Sequence, residues 1–491
     1  MNIVQALIEG GGTRLLLDPV THANRYQCTP LPESDVLSFS SCSARTISPW
    51  ALQTLEQELQ EISPSRLKTK MEALRCSIAA ILEINTMGAE IILSPSGTDS
   101  TLHALFLMHT FINRSLDSIV IAPDETGSAI LDVASGLHFD SQTAHGLQVE
   151  KGQPLAHWDH ETRLLTVPVR DTLGNDYSPE EIDQSVFEAV AHSVQSNRQV
   201  LLHAIDGSKL GRTYPSPACL EEIRNCYGED VQILLDCCQG RISRSEIKSH
   251  LARGALLTFT GSKFYTGPTF SGALLVPPEI VAKAKTITTI PKGMQDYTET
   301  SVWPSDWVGI RSMLPDTINM GLYARWFAAL LQMQAYYSIP TDFRKSTLRD
   351  LTDALFPILK DCPYLQLLSL PQNQEQTEIP LPTIFPFFLR HQGALLSFTS
   401  VMKVYNALNQ DFSACLSDDA SKQDKDTASQ RFQVGYPVCI GDLGVLRVCI
   451  DARMVYEAWS KQSNGDLQSK LKQIQTFTDK LALILRYSTV I

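Results

Sequence analysis

Residues 256–277 read LLTFTGSKFYTGPTFSGALLVP. An apolar run of strand length, Leu256 to Thr260, ends in Gly261-Ser262-Lys263, turns through Gly267-Pro268 and returns as the run Gly272 to Val276. A lysine at the end of a buried strand has an ordinary reading, a solvated ammonium. The glycines make the backbone compact, however, and Thr260 and Ser262 place hydroxyls three and one residues before the amine. That setting accepts an anion such as phosphate. It is not a P-loop, because the GxxxxGK spacing is absent. A desolvated lysine also releases its proton more readily, which an amine nucleophile needs.

Two further segments share this strand-then-turn character. In VQILLDCCQGR (231–241), Asp236 closes an apolar strand, the end at which open α/β sheets place ligands. Its carboxylate is either a helix cap or the partner of a cation, and Gln239 follows three residues later. In LSPSGTDST (93–101), Gly97 among hydroxyls joins a strand to a helix starting at about Thr98. Such a junction exposes N–H groups that suit a phosphate, although Ser, Thr and Asp are ordinary caps as well.

Short apolar runs alternate with helical patterns through the first two thirds, which predicts an α/β domain. Strands are expected at Ile91–Leu93, Ile119–Ala122, Val200–Ala204, Val231–Leu235, Leu256–Thr260 and Gly272–Val276. Their consecutive apolar residues suit strands covered on both faces of a mostly parallel sheet. Ser48-Pro49 opens a helix with Leu52, Leu55, Leu59 and Ile62 as its stripe. A long helical pattern between Gly321 and Tyr337 is expected to bridge two domains. Beyond about residue 340, Leu395–Phe398 and Val445–Ile450 read as strands, while Pro371–Gln376 and Ser417–Gln430 read as surface loops. An amphipathic helix carrying Leu467, Leu471, Ile474, Leu481 and Leu485 follows. The expected division is an N-terminal arm (1–50), a large α/β domain (51–325) and a smaller α+β C-terminal domain (326–491).

The chain has 491 residues, 43% hydrophobic and 19% charged, with a net charge of −12. An acidic chain without basic clusters gives no electrostatic reason to bind nucleic acid or an anionic membrane. No apolar stretch is long enough for a transmembrane helix, and MNIVQ lacks the start of a signal peptide. The 11 cysteines are odd in number and form no CxxC pair, so reduced thiols in the cytoplasm are expected, and no metal site.

In order and spacing the three segments resemble the class V aminotransferase and cysteine desulfurase group of fold-type I pyridoxal-phosphate enzymes. That group shows a strand, a Ser-Gly turn and a helix, then Asp-x-x-Gln after a strand, then a Ser-Gly-His-Lys-like turn followed by Gly-Pro and a Gly-Ala-Leu strand. Here the counterparts are SGTDS (96–100), DCCQ (236–239), TGSK (260–263), Gly267-Pro268 and Gly272-Ala273-Leu274, with Lys263 27 positions after Asp236. The entry segment, LSF (37–39) followed by SARTISPWALQTLEQ, is similar too. The resemblance covers about residues 35–320.

The resemblance implies pyridoxal 5′-phosphate held as a Schiff base on Lys263, which also moves protons at the substrate α-carbon. It implies Asp236 on the pyridinium nitrogen and Gln239 on the ring oxygen. Phosphate contacts fall to Gly97, Thr98 and Asp99, helped by Thr260 and Ser262. Asp206 or Ser208 is expected near the ring oxygen. Ser262 stands where desulfurases usually carry histidine, and Thr126 or a neighbour would have to cover the ring where the family places a histidine or aromatic. Arg447, in VLRVCIDARM, resembles the substrate-carboxylate arginine, with Arg453 as rival. The expected function is an aminotransferase or lyase acting on an amino acid or small amine through an external aldimine, as a homodimer. Cys415 in SACLS resembles the thiol loop of desulfurases and offers a sulfur-transfer alternative. Helical spacing from Val404 through Phe412 offers it a buried structural place instead. A catalytically silent cofactor-binding regulator is the third reading.

Overall fold

The structure of the protein, a computed structural model, describes residues 2–155, 161–371, 377–380, 382–461 and 465–487. A short strand, β1 (Val36–Ser38), precedes seven strands of one sheet. These are β2 (Glu90–Ser94), β3 (Leu116–Ile121), β4 (Thr162–Val167), β5 (Gln199–Ile205), β6 (Val231–Cys237), β7 (Leu256–Thr260) and β8 (Gly272–Val276). They lie in the order β2-β8-β7-β6-β5-β3-β4. Neighbouring strands from β7 through β4 are parallel, and only β8 runs antiparallel to its neighbours β7 and β2. Every residue of β3, β7 and β8 is buried. The Gly97–Phe111 helix packs on β2, β7 and β8, the Arg244–Ala252 helix packs on β7 as well, and the Pro179–Gln195 helix packs on β3, β4 and β5.

A second, antiparallel sheet is built from β9 (Leu365–Leu367), β10 (Ile384–His391), β11 (Ala394–Leu395), β13 (Gly435–Ile440) and β14 (Leu443–Cys449). Between them β12 (Arg431–Gln433) pairs parallel with β1, tying the N-terminal segment to the C-terminal region. The Met320–Tyr337 pattern is a helix, as the sequence predicts. It contacts the Ile3–Ile8, Pro49–Glu61, Pro64–Ile81 and Ala452–Lys461 helices. Trp326 Nε1 on it donates to the Gly272 carbonyl at 2.7 Å.

Two expectations for the last third differ from the structure. Only Leu395 of Leu395–Phe398 is in a strand, because Ser397 caps a helix that begins at Phe398. The polar stretch Ser417–Gln430 contains a helix, Lys422–Ser429, which buries only Ala428 and so lacks a visible apolar stripe. Most of the Pro371–Gln376 loop lies outside the described residues. Among those described, no helix is long and apolar enough to cross a membrane, and all 11 cysteines are free.

Candidate functional site

The turn after β7 is fixed by its own backbone. Gly261 N–H donates to the Ser271 carbonyl at 2.9 Å, Gly267 N–H to the Gly261 carbonyl at 2.9 Å, and Thr266 N–H to the Lys263 carbonyl at 2.9 Å. Glycine is required at 267, where a Cβ would lie 2.4 Å from Ala329 Cβ of the Met320–Tyr337 helix. Phe264 N–H reaches the Gln239 carbonyl at 3.3 Å, which joins this turn to the one after β6. Phe264 and Tyr265 are buried beneath, and Lys263 stays half-buried at the rim.

Asp236 ends neighbouring β6 and pairs in register with Thr258 of β7. Its carboxylate accepts from Cys238 N–H at 2.9 Å, Thr258 Oγ1 at 3.2 Å and Thr126 Oγ1 at 3.1 Å. Three donors converge on this carboxylate. His203 on β5 shares a small cavity with Asp236, Thr126 and Thr258. Burial pushes its imidazole down to about 4, so it supplies no charge at neutral pH. No cation among the described residues lies within 4.0 Å of the Asp236 carboxylate. The Cys238 thiol lies within electrostatic reach of both key groups. After burial, the Asp236 charge raises its pKa and the Lys263 charge lowers it. Acid and amine therefore act electrostatically on one sulfur.

The β2-to-helix junction meets the same point. Ser96 caps the Gly97–Phe111 helix, and a Cβ on Gly97 would fall 2.3 Å from Cys238 Sγ and 3.9 Å from Thr260 Cγ2. Gly97 and Thr98 are half-buried at this junction. Gly97→Ala therefore drives a methyl into Cys238, at a cost of about 1–3 kcal/mol of the kind seen for overpacked cores. Melting curves are expected to show the loss, and a second change, Cys238→Ala, to recover most of it.

Other sequence-derived candidates are placed differently. Asp99 cannot donate from its side chain. Its carboxylate accepts from Ser96 Oγ at 2.5 Å and Arg14 Nη2 at 3.2 Å, and its N–H already reaches Ser96 Oγ at 3.3 Å. Thr260 Oγ1 donates to the Cys238 carbonyl at 2.6 Å and so faces away from an anion. Ser262 is buried with no recorded side-chain partner. The Gln239 amide donates to the Cys42 carbonyl at 3.1 Å and accepts from Arg241 at 3.0 Å. Ser208 Oγ donates to Glu125, away from Asp236. Thr126 is occupied by Asp236, so its side chain supports the acid instead of presenting a flat face.

Arg447 on β14 is 2% exposed. It donates to the Lys209 carbonyl at 3.1 Å, to Ser43 Oγ at 3.2 Å and to the Tyr436 carbonyl, while its Nε has no partner. Its rival Arg453 braces the Lys263 turn, donating to the Thr46 and Thr266 carbonyls at 2.9 and 3.0 Å. Cys415 is exposed in the short Ser413–Cys415 turn, so the buried helical place expected for it is wrong. The Phe398–Leu408 helix ends before it.

Asp206 N–H donates to the Asp236 carbonyl oxygen at 2.9 Å. Burial, then the charges of Glu246 and Asp236, pushes its own carboxyl up to about 7. The folded state thus holds this proton more tightly than the unfolded chain. Stability from it is full below the unfolded value and is lost as pH rises through about 7. Asp206→Asn is expected to flatten the fall in melting temperature between about pH 5 and about pH 8.

Sequence reading passed over Thr258 and Arg14. Thr258 is visible only once β6 and β7 are in register. Arg14 arrives from the N-terminal arm, donating to Ser96 Oγ at 3.2 Å between the Phe139 and Phe270 rings. No local motif marks it.

No protein-family model and no curated protein matches the chain by sequence. Solved structures do match by shape. A cystine C–S lyase in complex with its reaction product cysteine persulfide superposes with a TM-score of 0.52 at 14% identity, over 89% of this chain and 97% of that one. The ureidoglycine–glyoxylate aminotransferase of Bacillus subtilis gives 0.53 at 11% identity, over 94% and 95%. An apo cysteine desulfurase from Thermococcus onnurineus NA1 gives 0.53 at 16% identity, over 90% and 95%. The chain has the fold of these enzymes, a large mostly parallel sheet with a smaller antiparallel one, as the sequence predicts.

Proposed function

We propose that this chain, which shares the fold-type I architecture, is a pyridoxal-phosphate-dependent aminotransferase or lyase that acts on an amino acid or small amine. The observation that carries the reading is a half-buried amine and a half-buried acid on neighbouring turns, which the Phe264 N–H joins through the Gln239 carbonyl at 3.3 Å. The acid has three donors and no cation, which leaves it fit to hold a protonated ring nitrogen. When bound, the cofactor supplies an electron-poor ring that takes up charge from the bond broken at the substrate's α-carbon. Asp236 would keep the ring nitrogen protonated. The Ser96–Thr98 junction and Ser262 would hold the phosphate. Lys263 would supply the amine that holds the cofactor and the base that moves the proton at the substrate's α-carbon. Arg447 holds the substrate carboxylate, its free Nε supporting that role.

We also read the protein as a homodimer in a reducing, cytoplasmic compartment, supported for the compartment by 11 unpaired thiols. The exposure of Cys415 favours a second reading, sulfur transfer, in which sulfide release from cysteine is lost in Cys415→Ala. The test of the main reading is a spectral screen of amino acids against protein incubated with pyridoxal phosphate. Absorption near ~420 nm that shifts on adding one of them supports it, and an unchanging protein spectrum rejects it.

A further inference from the structure

Buried cations in this molecule otherwise have acceptors. Arg45 pairs with Asp451 at 2.5 Å, Arg170 pairs with Glu125, and Lys480 donates to the Gln410 and Gln430 carbonyls at 2.6 Å each. Lys209 is different, although only half-buried. It sits on the loop after β5, anchored by its own backbone: its N–H donates to the Glu125 carbonyl at 2.8 Å, and its carbonyl accepts from Arg447 at 3.1 Å. Its ammonium has no hydrogen bond and no carboxylate within 4.0 Å among the described residues. The nearby Glu125 is already held by Arg170, Ser208 and Tyr214, and Asp124 is exposed.

Lys209 adjoins the site already described: its carbonyl accepts from the Arg447 guanidinium at 3.1 Å. Burial, then the charges of Arg447 and Lys263, lowers its pKa to about 8. Lys209 and Arg447 are thus two neighbouring basic residues, neither with a carboxylate within 4.0 Å among the described residues. A desolvated charge without a counter-charge is unfavourable, and such groups concentrate where a ligand supplies the missing sign. Lys263 is taken by the cofactor in the reading above. Arg447 answers one carboxylate. Lys209 remains.

We propose that the substrate carries a second anionic group, beyond its α-carboxylate, and that Lys209 binds it. This rests on the cofactor reading for the role of Lys263, but the anion site stands on Lys209 and Arg447 themselves. The group is a carboxylate, sulfonate or phosphonate, all of which an ammonium recognises as a point charge.

The test is calorimetric titration of the purified, cofactor-incubated protein with four amine-free probes: butyrate, succinate, 3-sulfopropanoate and 3-phosphonopropanoate. At least one doubly acidic probe is expected to bind about 10- to 100-fold more tightly than butyrate, the range for one charged hydrogen bond. The tightest of the three identifies the group. Lys209→Met is expected to erase the preference and Lys209→Arg to retain most of it. Equal binding of butyrate and all three doubly acidic probes by the unaltered protein overturns the proposal, with no variant needed. A preference that survives in Lys209→Met also overturns it, and a visible-spectrum shift in that variant would then assign Lys209 to the cofactor ring. Absence of the ~420 nm band alongside a Lys209-dependent preference retires the cofactor reading and keeps the anion site.

Discussion

Lys263→Ala is expected to fold with an almost unchanged melting temperature, and to show no absorption near ~420 nm after incubation with pyridoxal phosphate. Both halves follow from the same environment. Lys263 is half-buried, and its ammonium makes no hydrogen bond among the described residues. The turn around it is held by backbone bonds from Gly261, Phe264, Thr266 and Gly267, which alanine leaves intact. Little stability is lost, whereas the bond-forming amine is gone. Turnover of any responsive amino acid is expected to fall by ~10³-fold or more, the scale of a lost covalent and proton-transfer group. The unaltered protein should gain thermal stability from the cofactor by mass action, and the variant much less of it. A lysine of purely structural use would give the opposite pattern, a lowered melting temperature with the band preserved.

Asp236→Asn is the second large effect. The amide keeps the shape of the acid and an oxygen for the Cys238 N–H and for one of the Thr258 and Thr126 hydroxyls, bonds measured at 2.9, 3.2 and 3.1 Å. It removes the charge that favours a protonated ring nitrogen. Folding should survive, and the ~420 nm band should still form because Lys263 is untouched. The chemical step should slow by about 10²–10³-fold, as when one preorganised electrostatic group is removed. Comparing kcat with the melting temperature separates the two roles of the carboxylate. A parallel collapse of both would mean that Asp236 is a structural cap.

The parts of this account legible in the sequence are those whose chemistry is local. β7 and β8 announce themselves by consecutive apolar residues, because both faces are covered. Asp236 and Lys263 are legible because each lies at or just past the C-terminal end of such a strand. β4 escaped notice because its residues are mostly half-exposed and their pattern is weak. β10 and β13 each carry a proline, Pro386 and Pro437, which reads against a strand interior. The side-chain contacts of Gln239, Thr260 and Asp99 are not legible in the sequence for one reason. Each side chain can point two ways, and a segment distant in sequence decides: Cys42 for Gln239, Cys238 for Thr260 and Arg14 for Asp99. Lys209 sits between Ser208 and Leu210, in a stretch read for Asp206 and Ser208 alone. Only the approach of Arg447 from β14 reveals its isolation.

The most direct test of the central claim is chemical. The protein is incubated with pyridoxal phosphate, reduced with borohydride, digested and mapped by mass spectrometry. A phosphopyridoxyl group on the peptide that contains Lys263, and absent from that of Lys209, is the predicted result. Label on Lys209 or another lysine, or no label above that on denatured protein, would contradict it.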